Sequence, residues 1–301
     1  MKSSSFTKRV HRLFSLLAKK NVDAMIVRDM VDIRYLTGFT GTASWLCLVH
    51  KKRHLYVDFR YFEQAQKEVD SRCRVIKWTG DEKDLWADVQ KKIKGLRCGV
   101  DGKSFSLEGW RKIKKNMPNS RWLVLEDVIR IVRSQKDAEE IRAIKKSLGI
   151  AEAAFGQLCG MIKPGLTERD IQIELDYRLK QMGAEKSAFD IIVLSGQRSS
   201  WPHGQAGRKK IRHNNVILID FGAVWRGYHS DLTRILALGK MPHKFKRIFN
   251  IVNEAKHRAI QNIKPGIAAR VVDKVARDYI DAQGFAEYFG HGLGHGLGLE
   301  V

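Results

Sequence analysis

Two aspartates on either side of one sharp turn are the first residues whose spacing could do chemistry. Val216 to Asp220 is a run typical of a buried strand that ends in a carboxylate, and a second strand pattern follows Asp231. A hairpin centred near Trp225-Arg226 would bring Asp220 and Asp231 opposite each other, a like-charge pair that a sheet disfavours unless a cation neutralises it. A lone strand-end aspartate is ordinarily a turn residue or a salt-bridge partner. Two facing aspartates instead favour a divalent metal site.

Three histidines could add to such a site. His291 and His295 lie four residues apart among the alternating glycines of residues 289–299, and His203 follows a turn signal. The helical H-E-x-x-H zinc motif is excluded, because its glutamate is missing and the five glycines of this segment disfavour a helix. A glycine strand that permits close backbone approach fits this composition better than two packed core histidines. Alone, His203 would be an ordinary loop histidine.

The elements around these residues repeat within the chain. Residues 162–166 (IKPGL) recur as residues 263–267 (IKPGI), an offset of 101 residues. Each copy lies between two helical stretches. Pro-Gly punctuates many helix pairs, but matching flanks on both sides favour an internal duplication.

The first 125 or so residues predict a separate α/β domain. A helical pattern over residues 8–20 precedes strand patterns and further helical stretches. The strands are predicted at Asp23–Val27, Trp45–Val49, His54–Val57, Arg74–Ile76 and Cys98–Val100, and the helices at Phe62–Glu68 and Lys83–Lys94. Capping and acidic side chains over Ser134–Glu140 then predict the start of a long helix. We therefore place two domains at residues 1–130 and 131–301.

Composition indicates which partners and which cellular location the protein is expected to have. The formal net charge is +22, but the basic residues recur along the chain without a zinc-finger or aromatic nucleic-acid motif, which favours solvated surface over specific nucleic-acid recognition. The four scattered cysteines form no C-x-x-C pair, which argues against a disulfide framework and a cysteine-ligated zinc. No apolar run approaches the length of a spanning helix, and no signal-peptide pattern is found. The sequence predicts a cytoplasmic protein without membrane association.

Taken together, these residues resemble the creatinase/prolidase/aminopeptidase P family, and in particular bacterial Xaa-Pro aminopeptidases. Arg34–Gly41 and Asp58–Ala65 resemble stretches of the bacterial branch. Pro202-His203-Gly204, the two aspartates and the two C-terminal histidines match the family in order and spacing. The resemblance covers nearly the whole chain. It implies an α/β N-terminal domain followed by an internally duplicated α+β pita-bread domain.

The resemblance also implies a role for each site residue. Asp220 resembles a bidentate ligand of one metal, Asp231 the bridging ligand, and His295 the imidazole ligand of the other metal. His203 and His291 correspond to histidines that orient the substrate and stabilise the oxyanion. Two Mn²⁺ ions are implied, with Co²⁺ or Zn²⁺ as substitutes, and the reaction is hydrolysis of the bond between a free N-terminal residue and a following proline. The implied partners are that peptide and a second copy of the chain in a homodimer.

One departure from the family pattern concerns the C-terminal end. The family places two glutamate ligands and a further histidine downstream of the position of Val301. We therefore expect an incomplete pita-bread domain in a C-terminally truncated chain. Fewer carboxylates weaken the binding of two divalent cations, so this chain alone is expected to be inactive.

Two alternatives stay open at this point. An Xaa-Pro dipeptidase of the prolidase type would share every residue named above. A non-catalytic pita-bread module that binds peptide or nucleic acid would suit the net charge of +22 and the missing glutamates. The two retained aspartates argue against that module.

Overall fold

The computed structural model describes residues 2–79 and 81–301, in two compact units that meet in sequence between Glu139 and Glu140. The predicted boundary at residue 130 falls earlier, within a helix at Val128–Ser134. That helix packs against the first helix of the chain, and Arg12 in the first helix donates a hydrogen bond to the Gln135 side chain at 2.8 Å. These contacts keep residues 131–139 with the first unit.

The first unit is built on one mixed sheet. Its strands are β1 (Ala24–Val27), β2 (Trp45–Val49), β3 (Lys52–Val57), β4 (Cys73–Lys77), β5 (Arg97–Asp101) and β6 (Arg121–Leu125), in the order β4-β3-β2-β1-β5-β6. Its helices are α1 (Lys2–Lys19), α2 (Met30–Thr37), α3 (Phe62–Glu68), α4 (Glu82–Ile93), α5 (Leu107–Asn116) and α6 (Val128–Ser134). The β1–β2 and β2–β3 pairs are antiparallel, and the others are parallel. The α/β architecture predicted for this part of the chain is confirmed.

Strand β1 lies inside the sheet, between β2 and β5, and its residues are buried. All four β1 residues are buried, as expected for a strand whose two faces are both covered. Leu13 and Leu17 of α1 are fully buried, and so are Leu85 and Val89 of α4. The apolar runs of the sequence therefore become the core of this unit.

The second unit contains two small antiparallel sheets and four long helices. The helices are α7 (Ala138–Cys159), α8 (Glu168–Gln181), α9 (His243–Gln261) and α10 (Ala269–Ala282). The strands are β7 (Lys186–Ser187), β8 (Ile192–Ser195), β9 (Asn215–Phe221), β10 (Ala223–Trp225), β11 (Tyr228–His229) and β12 (Leu232–Leu238), paired as β12-β9-β8 and β11-β10-β7. Short 3₁₀ turns lie at Gly196–Ser200 and Ala286–Tyr288.

The repeated sequence corresponds to two similar helix pairs, α7–α8 and α9–α10. The Pro-Gly turns place Gly165 at a φ of 98° and Gly266 at 84°, a left-handed region in which glycine is unstrained. The pairs differ in what they cover. The first packs its apolar face on β9, whereas the second packs on itself through Ala255, Ala259 and Ala276. Among the residues described, no helix is long and apolar enough to cross a bilayer.

Candidate metal centre

The hairpin that carries the two aspartates turns at Arg226 and Gly227. Trp225 pairs with Tyr228 across this turn, and both turn residues have positive φ, 50° at Arg226 and 77° at Gly227. Two consecutive residues with positive φ form the type I′ turn, whose twist matches that of the flanking strands.

This turn corrects the predicted pairing of the aspartates. The hairpin is centred one residue later than Trp225-Arg226, and a shift of one residue in the turn moves every partner by two. Asp220 therefore pairs with Thr233 rather than with Asp231. Because Asp231 lies two residues before Thr233, it shares the face of Asp220 as a diagonal neighbour. The two carboxylates are neighbours, though not directly opposite each other.

Between the two aspartates the hairpin bends from one sheet into the other at Gly222. A Cβ atom on Gly222 would lie 1.9 Å from the carbonyl oxygen of Ser230, so only glycine fits there. Buried hydroxyls secure the bend. Ser230 Oγ accepts a hydrogen bond from the Ala223 amide at 3.0 Å, and Ser147 Oγ of α7 donates to the Ala223 carbonyl at 2.7 Å. The positions of both carboxylates are thus fixed by backbone pairing on each side of the bend.

The environment of Asp220 disfavours its negative charge. Burial raises the pKa of Asp220 above its ordinary value, and the charge of Asp231 adds to the rise. The hydrogen bond from Thr233 Oγ1 to Asp220 Oδ1, at 2.9 Å, acts in the opposite direction, as do His295 and His203. A half-buried carboxylate that is repelled by a second one is a position where a cation would be stabilised.

The structure places His295 beside this pair. Its Nε2 lies 3.3 Å from Asp231 Oδ2, and its Nδ1 lies 2.9 Å from the Gly296 carbonyl oxygen. Since a carbonyl only accepts, the Nδ1 contact is a hydrogen bond when Nδ1 carries the proton. The Nε2 lone pair then faces the carboxylates, as in a metal-ligating histidine.

The other two histidines lie on exposed loops. His203 is close enough for its charge to lower the pKa of Asp220. His291 is held from α10, where Arg277 donates to its carbonyl oxygen. The glycine segment that carries His291 and His295 is not the predicted strand, because residues 289–301 form no regular element. Around Gly290, Gly292, Gly294 and Gly296 an added Cβ would meet nothing within 4 Å.

Glu168, which the sequence did not single out, supports the segment that carries His203. Its side chain is fully buried at the start of α8. It accepts hydrogen bonds from the Ser195 amide at 2.8 Å, from Arg198 Nε at 3.1 Å and from the Gly207 amide at 3.2 Å. The capping box between Thr167 and Asp170 marks this helix start. No sequence pattern shows that Glu168 points inward.

Known families match both units of the chain. Residues 9–135 match the creatinase/prolidase N-terminal domain, and residues 142–301 match the metallopeptidase family M24. The chain belongs to metallopeptidase family M24. Its C-terminal part is therefore a pita-bread domain, as predicted, and membership of this metallopeptidase family implies divalent metal ions.

Relatives of this M24 member include named proline peptidases. An Xaa-Pro dipeptidase of Pyrococcus horikoshii is 34% identical over 97% of this chain and 82% of its own length. The Xaa-Pro dipeptidase structure from Bacillus anthracis shares 34% identity with a TM-score of 0.93, over 98% of this chain and 83% of that one. The X-Pro aminopeptidase structure from Thermotoga maritima shares 35% identity with a TM-score of 0.89, over 96% and 83%.

Asp220, Asp231 and His295 have the donor types that a divalent cation needs, but their side chains are not yet arranged around one point. Two carboxylates and one imidazole are donors that Mn²⁺ and Zn²⁺ accept. The pKa of Asp220 is raised mainly by burial, and the charge of Asp231, which a cation would balance, adds to the rise. Within residues 2–79 and 81–301, however, no group of three or more histidine, cysteine, aspartate or glutamate side chains is arranged to hold a metal ion. The ligand side chains are neighbours that must still converge on an ion.

Proposed function

We propose that this M24 member is an Xaa-Pro aminopeptidase that hydrolyses the bond between an N-terminal residue and a following proline. One observation carries the proposal: Asp220 and Asp231 lie on either side of the bend in the hairpin, and His295 Nε2 is 3.3 Å from Asp231. The peptidases named above support the choice of proline-containing substrates.

Each site residue has a proposed part. Asp220, Asp231 and His295 would hold divalent ions, for which we propose a pair of Mn²⁺ with Co²⁺ or Zn²⁺ as substitutes. When bound, such ions polarise a carbonyl and lower the pKa of water. His203 and His291 would orient the peptide and donate hydrogen bonds to the oxygen that becomes negative during hydrolysis. The half-buried position of Asp220 keeps part of this site away from bulk water.

A second candidate function is that of an Xaa-Pro dipeptidase. It is favoured by the names of two relatives, the proteins from Pyrococcus horikoshii and Bacillus anthracis. The two activities differ in the length of peptide accepted. A dipeptide Xaa-Pro and a longer peptide with proline in second position therefore separate them.

Metal binding and hydrolysis test the proposal through separate measurements. Mn²⁺ binding is measured by calorimetry, and cleavage of the two peptides is followed for the wild-type protein and for Asp231→Asn. The exposed Asp281→Asn is the matched control. We expect Asp231→Asn to lose Mn²⁺ binding and about 10³-fold in kcat/KM, since metal catalysis contributes several kcal/mol. Equal Mn²⁺ binding by Asp231→Asn and wild type would show that the metal lies elsewhere.

A further inference from the structure

An ion pair on α10 holds the segment that carries His291. Asp273 and Arg277 lie one helical turn apart, and Arg277 Nε is 2.6 Å from Asp273 Oδ2. Arg277 Nη1 also donates to the Phe289 carbonyl at 2.8 Å, and Nη2 donates to the His291 carbonyl. A guanidinium that is fixed by a carboxylate can direct its other N–H groups at neighbouring acceptors.

The same pair holds the other side of His291. Asp273 Oδ1 accepts a hydrogen bond from the Leu293 amide at 2.8 Å. Backbone groups of residues 289, 291 and 293 are thus bound by a single acid and a single base. The Arg277 guanidinium also lies 4.5 Å above the Phe289 ring, whose centroid is 5.1 Å from that of His291 in an edge-to-face arrangement.

Apart from these bonds, the 289–293 segment is anchored at its two ends, where Phe289 and Leu293 pack against the core between α9 and α10. It forms no regular element, and an added Cβ at Gly290 or Gly292 would meet nothing within 4 Å. Glycine has the largest conformational freedom to lose on ordering, so these two residues widen the range of positions open to His291. The bonds from α10 restrict that range.

We infer that Asp273 and Arg277 are positioning residues that fix His291 at the candidate site. The inference rests on the proposed function for the role of His291, although the hold on the segment does not. Neither side chain of the pair is proposed to touch the substrate or a metal.

A matched pair on the same helix allows a controlled test. Lys274 and Asp278 are also four residues apart, with 2.7 Å between Nζ and Oδ1, and both side chains are well exposed. No bond from either side chain to the 289–293 segment is found among the described residues. Removing this second pair costs α10 a similar ion pair and leaves the segment untouched.

The experiment compares Arg277→Gln, Arg277→Lys and Asp273→Asn with Lys274→Gln in the full chain. Amide hydrogen exchange is measured at residues 290–293, and hydrolysis of a proline-containing peptide is resolved into kcat and KM. We expect faster exchange at the Leu293 amide and a fall in kcat of about 10–100-fold in the Arg277→Gln and Asp273→Asn proteins, as for other outer-shell supports. Arg277→Lys should give intermediate values of exchange rate and kcat, because an ammonium keeps the charge but not the planar set of donors that reaches Asp273 and the two carbonyls. Lys274→Gln should match wild type in both.

The outcomes separate the two proposals. Unchanged exchange in Arg277→Gln would overturn the positioning role, and so would faster exchange with an unchanged kcat in an active enzyme. A wild-type protein that binds Mn²⁺ but hydrolyses neither peptide would count against the proposed function, while the exchange rates would still decide whether the pair orders the segment. A fall in melting temperature larger than that of Lys274→Gln, without faster exchange at residues 290–293, would assign the pair to stability instead.

Discussion

The candidate site takes its carboxylates from a paired hairpin, with Asp220 in β9 and Asp231 just before β12, and its histidines from loops. Asp220 lies in β9, where every residue from Asn215 to Phe221 has a partner in β12. His203, His291 and His295 lie on segments without such pairing. Backbone pairing fixes a strand residue whatever its side chain does, whereas a loop residue depends on bonds from side chains elsewhere. The two classes of site residue should therefore fail in different ways.

Each of the two histidine loops is held by an arginine that pairs with an acid, and the two acids differ in burial. Near His203, Arg198 donates to the Gln205 carbonyl at 2.5 Å and lies 4.7 Å from the Trp201 ring, with its charge paired to Glu168. Near His291, Arg277 combines a carbonyl, an aromatic ring and an acid in the same way. Glu168 is fully buried, whereas the Asp273 side chain is 27% exposed. Loss of the buried acid should cost more stability.

Among the substitutions in the paired hairpin, Gly222→Ala is expected to have the largest effect on stability. A Cβ there would lie 1.9 Å from the Ser230 carbonyl oxygen, and backbone cannot yield as a side chain can. We expect a loss of about 3 kcal/mol in the free energy of unfolding, together with weaker Mn²⁺ binding, measured by urea denaturation and calorimetry. Gly149→Ala in α7 is the control, where open space and helix propensity predict a gain of about 1 kcal/mol. A Gly222→Ala protein as stable as wild type would contradict the role of the bend.

Glu168→Gln tests how the loop that carries His203 depends on a buried acid. The amide keeps one acceptor but loses the charge that pairs with Arg198 and one of the acceptors that Ser195 and Gly207 use. We expect a loss of about 1–3 kcal/mol in stability and faster amide exchange around Gly207. The exposed Glu152, which is 3.5 Å from Arg234, supplies the control Glu152→Gln, with a change within about 0.5 kcal/mol. Equal losses in the two variants would remove the distinction between the buried and exposed acids.

Sequence patterns predicted elements of the first unit with their bounds, but misplaced the turn of the hairpin that carries the two aspartates. The apolar run Trp45–Val49 and the stretch Phe62–Glu68 are β2 and α3 with the predicted bounds. The turn at Arg226-Gly227 was misplaced by one residue, because an arginine with positive φ lacks the Asn-Gly or Asp-Gly signature of a type I′ turn. That slip changed which residue faces Asp220. Contacts such as those of Glu168 and Arg277 join positions distant in sequence, so no local pattern reveals them.

His54 lies in a strand, in contrast to the loop histidines, and its substitution is expected to have the smallest effect on stability. His54 is in β3 opposite Cys47, and its Nδ1 is buried without a hydrogen-bond partner in the described part of the chain. Burial, followed by the charges of Lys92 and Arg74, lowers the pKa of His54 to about 4.

The sign of the pH dependence follows from this lowered pKa. Between about pH 4 and the unfolded value of about 6.5, the unfolded chain binds more protons than the folded one, so the free energy of unfolding falls as the pH falls. Above pH ~6.5 the contribution of His54 is complete. We expect wild type to lose about 1 kcal/mol more than His54→Gln between pH 7 and pH 4.5, a reduced value because the ring keeps some contact with solvent. Urea denaturation of both proteins across this range measures the difference, with pH 8 as the reference at which the imidazole is neutral in both states. Parallel curves for the two proteins would mean that His54 takes up its proton in the folded sheet as readily as in the unfolded chain.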